Sequence, residues 1–183
     1  MKDIETLLDF WFEETPPEKL FARDDSFDAA IRDRFGALTE RAAAGAFADW
    51  GRTARGSVAL CLLLDQFPRN LHRGTPRAFA TDPMARAVAR NAIDSKLDLS
   101  PDLTDRHRVF LYLPFEHSED LWDQLICVGL FRARVEDQGF MEYALGHLAI
   151  IQRFGRFPHR NEALGRATNA EEAAFLKTPG SSY

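Results

Sequence analysis

The sequence predicts an all-α protein: a single domain of about eight helices in antiparallel pairs. Three observations predict it. Apolar residues recur at three- and four-residue intervals along most of the chain, the mark of helices with one buried face. Period-two alternation, the mark of a half-buried strand, persists nowhere. The connections between apolar runs are short, so helices adjacent in sequence pair as antiparallel hairpins. A chain of 183 residues suffices for one domain with a real core.

Each element has its own signals. Ile4, Leu7, Leu8, Trp11 and Phe12 form the first apolar stripe, which Thr15-Pro16-Pro17 ends. Ser26 is the predicted cap of a second helix carrying Phe27, Ile31, Phe35, Leu38 and Ala42, with Gly45 near its end. A third runs from Thr53 to Phe67. Its segment Val58–Leu64 is apolar on all sides, so it is central and buried, and Pro68 is expected to end it. Asp82-Pro83 reads as a cap followed by Pro at the first helical position, opening a helix to about Leu97 with Met84, Ala87, Val88 and Ala92 inward. After the break at Ser100-Pro101, a short helix over Asp105–Leu113 is expected to stop at Pro114. Ser118 then caps another, with Leu121, Trp122, Leu125, Ile126 and Gly129 inward. Gln138–Phe154 carries Phe140, Ala144, His147, Ile151 and Phe154 at helical spacing and stops at Gly155. Thr168-Asn169-Ala170-Glu171 reads as a capping box for a last helix to Lys177. The helical domain thus covers 1–177, and 178–183 reads as a loose tail. No repeat period is visible.

Composition excludes several classes. Hydrophobic residues at 45% and charged ones at 28% are those of an ordinary soluble globular protein. No apolar run approaches the roughly 20 residues of a membrane span, and the first thirty residues are acidic, unlike a secretory signal. These features point to a cytoplasmic protein with no membrane partner. The formal net charge of -5 disfavours nucleic acid as a partner. Cys61 and Cys127 lie in apolar helical runs and read as small buried hydrophobes. No His pair at metal-binding spacing, no Gly-rich phosphate loop and no nucleophile elbow occurs, so neither a metal nor a cofactor is expected.

Two matched phrases carry the polar chemistry. Asp65-Gln66-Phe67-Pro68-Arg69-Asn70 and Arg156-Phe157-Pro158-His159-Arg160-Asn161 each follow an apolar helix, break it with Phe-Pro and then present Arg and Asn. Of the 23 basic residues only Lys2, Lys19, Lys96 and Lys177 are lysines, and arginines cluster at these two corners. Planar guanidinium groups bind carboxylate or phosphate as a fork, and the neighbouring aromatic rings would hold them in place. Asp65 stands at a helix C-terminus, where the macrodipole disfavours a carboxylate unless a cation faces it. His147 lies on the inward stripe of its helix with an ordinary pKa suited to acid–base work. Glu116 and His117 project from the Pro114 break. The candidate ligand-binding set is therefore Asp65, Arg69, Asn70, Glu116, His117, His147, Arg153, Arg156, His159, Arg160 and Asn161. The candidate catalytic set is His117, His147 and Asp65.

These phrases, with Arg73-Gly74-Thr75-Pro76, Ala78-Phe79-Ala80-Thr81-Asp82 and Leu113-Pro114-Phe115-Glu116-His117-Ser118-Glu119, occur in an order that resembles one uncharacterised, largely bacterial family, catalogued as domain of unknown function 924. The likeness covers roughly Ile4 to Lys177. It implies a tetratricopeptide-like helical array and brings no activity, cofactor or catalytic residue. The family often carries Met at the position of Glu116, so the resemblance assigns Glu116 no shared role.

The first expectation for function is a helical domain binding a small anionic ligand in a pocket lined by Arg, His and Asn. An alternative is a small-molecule hydrolase or lyase using a His–carboxylate pair in the same pocket. Another is a scaffold for a peptide or protein partner, with Trp11, Trp50 and Trp122 as anchors.

Overall fold

The computed structural model describes residues 2–181, apart from the side chain of Gln138. Among these residues there are nine α segments and no strand. Because α3 and α4 are one continuous helix, the architecture is eight helices in one domain.

α1 (Lys2–Asp9) continues through a π turn, Phe10–Glu14, and stops at extended Thr15 as its sequence requires. α2 (Asp25–Ala43) is capped by Asp24 and not by Ser26: Asp24 Oδ1 accepts from Ser26 N at 2.9 Å and Phe27 N at 3.1 Å. Asp is as good a cap as Ser, and the register of the buried face decides between adjacent candidates.

The largest departure from the sequence reading is at Pro68, which does not end its helix. α3 (Ala54–Cys61) passes through a π turn, Leu62–Gln66, into α4 (Phe67–Leu71). The turn closes with Phe67 N donating to Leu62 O, five residues back, so the register slips by one residue just before the proline. Pro68 cannot bond the carbonyl four residues behind it. That carbonyl, on Leu64, accepts instead from Thr81 Oγ1 at 2.6 Å. The lost backbone bond is replaced, and the helix survives.

α5 (Asp82–Asp94) starts at the predicted place, but Asp82 makes no capping bond, and the buried face is Ala85, Ala89 and Ala92 while Ala87 is exposed. α6 (Asp105–Glu116) runs through Pro114 to His117 as its C-cap, so Glu116 and His117 sit on a helical last turn and not beyond a break. Residues Val109–Glu116 are all buried, and that tertiary burial outweighs the missing proline N–H. α7 (Leu121–Arg134) is capped by Asp120, which accepts from Trp122 N at 2.7 Å, while Ser118 Oγ donates to Asp123 Oδ2 at 2.7 Å. Its inward face is Asp123, Gln124, Cys127, Leu130 and Phe131. Of the predicted stripe only Ile126 packs against the core: Trp122 is 74% exposed, and Leu121, Leu125 and Gly129 are also on the surface. α8 (Gln138–Phe154) ends at left-handed Gly155, whose N donates to Ile151 O at 2.8 Å. α9 (Ala170–Phe175) has its capping box one residue later than read, between Asn169 and Glu172. In the segment read as a loose tail, Thr178 Oγ1 donates to Phe175 O and Ser181 Oγ to Leu176 O; residues 182 and 183 lie outside the described residues.

The extensive helix–helix contacts join neighbours one or two places apart in the chain: α2 with α4, α1 with α3, α3 with α5 and α6, α5 with α6, α6 with α7 and α8, and α7 with α8. α3 is the hub. Val58 to Leu64 are buried without exception, as their uniform apolarity demands, and each such leucine contributes about 1.5–3 kcal/mol. Trp11 is sealed among Phe27, Phe67 and Phe110, whose ring centroids lie 5.4–5.6 Å away. Cys61 and Cys127 are buried free thiols. No described helix is long and apolar enough to cross a membrane.

Candidate functional site

The π turn determines where Asp65 goes. The slip in register carries Asp65 into the protein, where it is 1% exposed, and the end of α6 brings His117 against it. His117 Nδ1 lies 2.9 Å from both carboxylate oxygens. An ionised carboxylate only accepts, so Nδ1 carries the proton and Nε2 bears the lone pair. Nε2 hydrogen-bonds to no described residue and is not among the sealed polar atoms, and the His117 side chain keeps 15% exposure. Burial, together with Arg69 and Arg160, lowers the His117 pKa against the pull of Asp65, so the imidazole is neutral near pH 7. Burial opposes the Asp65 charge, but Arg69 and His117 outweigh it and hold the carboxyl well below its ordinary value.

Asp65 has two further partners. Gln66 Nε2 donates to Oδ2 at 2.5 Å, and Arg69 Nη1 lies 3.1 Å from Oδ1. Arg69 also donates to the Asp65 carbonyl at 2.6 Å and forks onto Asp82 with bonds of 2.9 and 3.0 Å. This is why Asp82 does not cap its helix: its carboxylate is turned toward the arginines. Arg160 completes the row, its Nη1 3.6 Å from Asp82 Oδ2 and its guanidinium 4.7 Å from the Phe79 ring and 4.5 Å from the Phe157 ring. The two Phe-Pro corners therefore meet through Arg69, Asp82 and Arg160. Asp65 and Asp82 balance Arg69 and Arg160, which cancels the surplus of positive charge expected from arginine density.

Beside this row lies a second acid–imidazole contact. Glu116 Oε1 is 3.2 Å from His147 Nδ1, which also lies 2.9 Å from the Tyr143 carbonyl. Burial, then the nearby Asp65 charge, pushes Glu116 up to about 8, while burial and His117 push His147 down to about 3. Both are neutral near pH 7, so this is not an ion pair. The rings of His117 and His147 are 6.2 Å apart. Two carboxyl–imidazole contacts thus sit side by side, with one carboxyl ionised and the other protonated.

The remaining candidates point elsewhere. Asn70 donates to Asp28 at 2.7 Å, beside the Arg73–Asp28 fork on α2. Arg156 forks onto Glu172, Arg153 pairs with exposed Glu171, and Asn161 bonds Thr168, Glu172 and Arg166. These three fasten α9. Arg166 and Glu119 form another fork, and Glu119 Oε1 also accepts from Phe157 N. His159 is half-buried next to Arg160, and burial followed by the Arg160 charge lowers its pKa to about 4. Sequence reasoning missed Gln66 and Asp82. Asp82 had one signal: it is the first acid after the basic stretch Arg69–Arg77.

Two surface depressions, about 70 and 230 Å³, lie elsewhere, the first near His72 and Thr81 and the second near Phe10 and Lys19. Among the described residues no group of three or more His, Cys, Asp or Glu side chains is arranged to hold a metal.

This fold and cluster define an all-helical protein with a buried, charge-balanced Asp–His–Arg core. The chain belongs to the bacterial family of unknown function DUF924, which matches residues 7–180. It is similar to a solved structure of a protein of unknown function from Agrobacterium tumefaciens, with 40% identity, a TM-score of 0.90, and 96% of this chain and 97% of that one covered. No curated protein matches the chain.

Proposed function

We propose that the protein is a small-molecule enzyme, a hydrolase or lyase, in which His117 is the general base and Asp65 orients it. One observation carries this reading: His117 Nδ1 is held by both oxygens of a buried carboxylate, while Nε2 hydrogen-bonds to no described residue and the side chain keeps 15% exposure. A general base needs such a fixed tautomer, a lone pair facing substrate and a protonation state ready at working pH. The lowered His117 pKa supplies the last. Glu116, neutral up to about pH 8, would hold the proton complement one residue away.

The test is a turnover screen of small esters, amides and β-hydroxy acids with wild type and His117→Gln. The reading expects one class to turn over, with a loss of roughly 10²–10⁴-fold in the variant. Equal rates in the two proteins would refute it.

A second reading, a ligand-binding domain that performs no chemistry, is favoured by the row Arg69–Asp82–Arg160. The contact order of the helices also supports the finer inference of a tetratricopeptide-like array, since stacked repeats touch near neighbours along the chain. In such an array the exposed Trp122 would be the anchor for a protein partner, because Trp11 is sealed in the core and Trp50 stacks on Phe47.

A further inference from the structure

Arg160 is the least satisfied charge in the molecule's polar core. The residue is 6% exposed, yet its side chain donates no hydrogen bond to any described residue. Its Nε is sealed and without a partner. Its paired carboxylate oxygen, Asp82 Oδ2, lies at 3.6 Å and already takes a shorter bond from Arg69 Nη2. The Phe79 and Phe157 rings pack against the guanidinium and hold it in place, but ring contacts leave its in-plane N–H donors unused. Next to it, His159 Nδ1 is a second buried polar atom with no partner. A buried guanidinium is normally paired and hydrogen-bonded; its terminal nitrogens are not among the sealed unpartnered atoms, and they are the donors open to a small acceptor.

We propose that Arg160, with His159 beside it, is the carboxylate-binding subsite of the His117 site, and that the substrate is a small monocarboxylate. The inference rests on the acid–base reading for the word substrate; the subsite itself rests on Arg160. The guanidinium fork matches the two oxygens of a carboxylate. The charge balance selects the class. Asp65 and Asp82 offset Arg69 and Arg160, and Glu119 offsets Arg166, so the surroundings are neutral while His117, His147 and His159 are neutral. One added negative charge is tolerable there. A dianion such as a phosphate monoester would bring two charges into a largely buried place with one unsatisfied cation. A chain of contacts from Arg160 through Asp82, Arg69 and Asp65 to His117, each 2.9–3.6 Å long, links the subsite to the base, and the Arg160 charge is felt at His117.

The experiment titrates wild-type protein with sodium acetate, and separately with inorganic phosphate at pH 8, where it is a dianion. Ionic strength is held constant with chloride, and the histidine imidazole signals are followed by NMR. Acetate is expected to shift the His159 and His117 signals saturably. Arg160→Gln should weaken acetate binding tenfold or more. Arg160→Lys, which keeps the charge but loses the fork, should weaken it less and guards against a variant that does not fold. Arg153→Ala, whose guanidinium pairs outward with exposed Glu171, should bind acetate as wild type does. The proposal is overturned if acetate gives no saturable shift, if Arg160→Lys and Arg160→Gln bind it as tightly as wild type, or if phosphate binds tighter than acetate. Acetate binding that depends on Arg160, combined with equal turnover in wild type and His117→Gln, would sink the acid–base reading and leave the subsite standing.

Discussion

The segment Arg153–Arg160 sends its arginines in two directions, and the two destinations obey different rules. Arg153 and Arg156 go outward to α9, where each meets a glutamate, Arg156 in a two-bond fork with Glu172. Arg160 goes inward to a place with no hydrogen-bond acceptor of its own and a carboxylate already shared with Arg69. The sequence cannot tell these arginines apart, since all three lie within three residues of a phenylalanine. The difference is whether the donors are used. The outer pairs are complete and fasten a helix. The inner group is incomplete, and incompleteness in a buried polar cluster is what a ligand or a reaction step resolves.

The strongest way to break the comparison is at its inner end. Asp65→Ala removes the carboxylate that His117, Gln66 and Arg69 share. Taking one partner from a buried charge cluster costs roughly 3–5 kcal/mol. The urea midpoint should fall accordingly with an unchanged slope. A loss below about 1 kcal/mol would mean that the cluster contributes no more than an exposed ion pair.

The next effect is on pH. Folded Glu116 keeps its proton to about 8, whereas its ordinary value is 4.5, so unfolding releases a proton between those limits and stability falls as pH rises. The histidines act in the opposite sense. His107 and His159 near 4 and His147 near 3 refuse protons that the unfolded chain accepts below 6.5, so stability falls as pH drops from 6.5 toward 4. His72 and His117 are lowered as well, so below 6.5 five histidines oppose one glutamate, and the Glu116 effect dominates above it. Thermal stability should therefore peak near pH 6.5 and decline toward pH 8 with a slope of roughly 1.4 kcal/mol per pH unit. Glu116→Gln should remove the decline above 6.5 and keep the acid side. An unchanged alkaline limb in the variant would show that Glu116 is ionised in the folded protein.

The inner and outer regions also differ in how far the sequence revealed them. Helix existence was legible because buried stripes repeat at helical period, and the uniform apolarity of Val58–Leu64 correctly marked the hub. Boundaries were less so. Asp24-Asp25-Ser26, Ser118-Glu119-Asp120 and Thr168-Asn169 each offer several caps in a row, and tertiary register chose among them. The face of α7 was misread because Leu121, Trp122 and Leu125 are apolar yet exposed, while polar Asp123 and Gln124 turn inward to bond Ser118 and the end of α6. For the site, the need of Asp65 for a cation was read from a helix end at Pro68 that the structure does not have; Arg69 meets the need because the carboxylate is buried. The π turn was not readable, since the donor that replaces the missing proline N–H comes from Thr81, seventeen residues away. Without it Pro68 reads as a stop, and Asp82 reads as a cap instead of an anchor for two arginines.

The smallest expected effect sharpens the comparison most. Arg153→Ala removes an exposed pair, both side chains being more than half accessible, and loses the guanidinium contact with Phe154. Such pairs contribute little in water, so stability should change by less than about 0.5 kcal/mol. Arg156→Ala should lower the melting temperature measurably, because the Glu172 carboxylate it forks also holds the Asn169 backbone and the α9 capping box. Neither change touches the row from Asp65 to Arg160, so neither should alter acetate binding or turnover. If Arg153→Ala abolished either while leaving the fold intact, the division between an outer fastening and an inner site would be false: the segment would then act as one basic surface, with Arg160 merely its buried end.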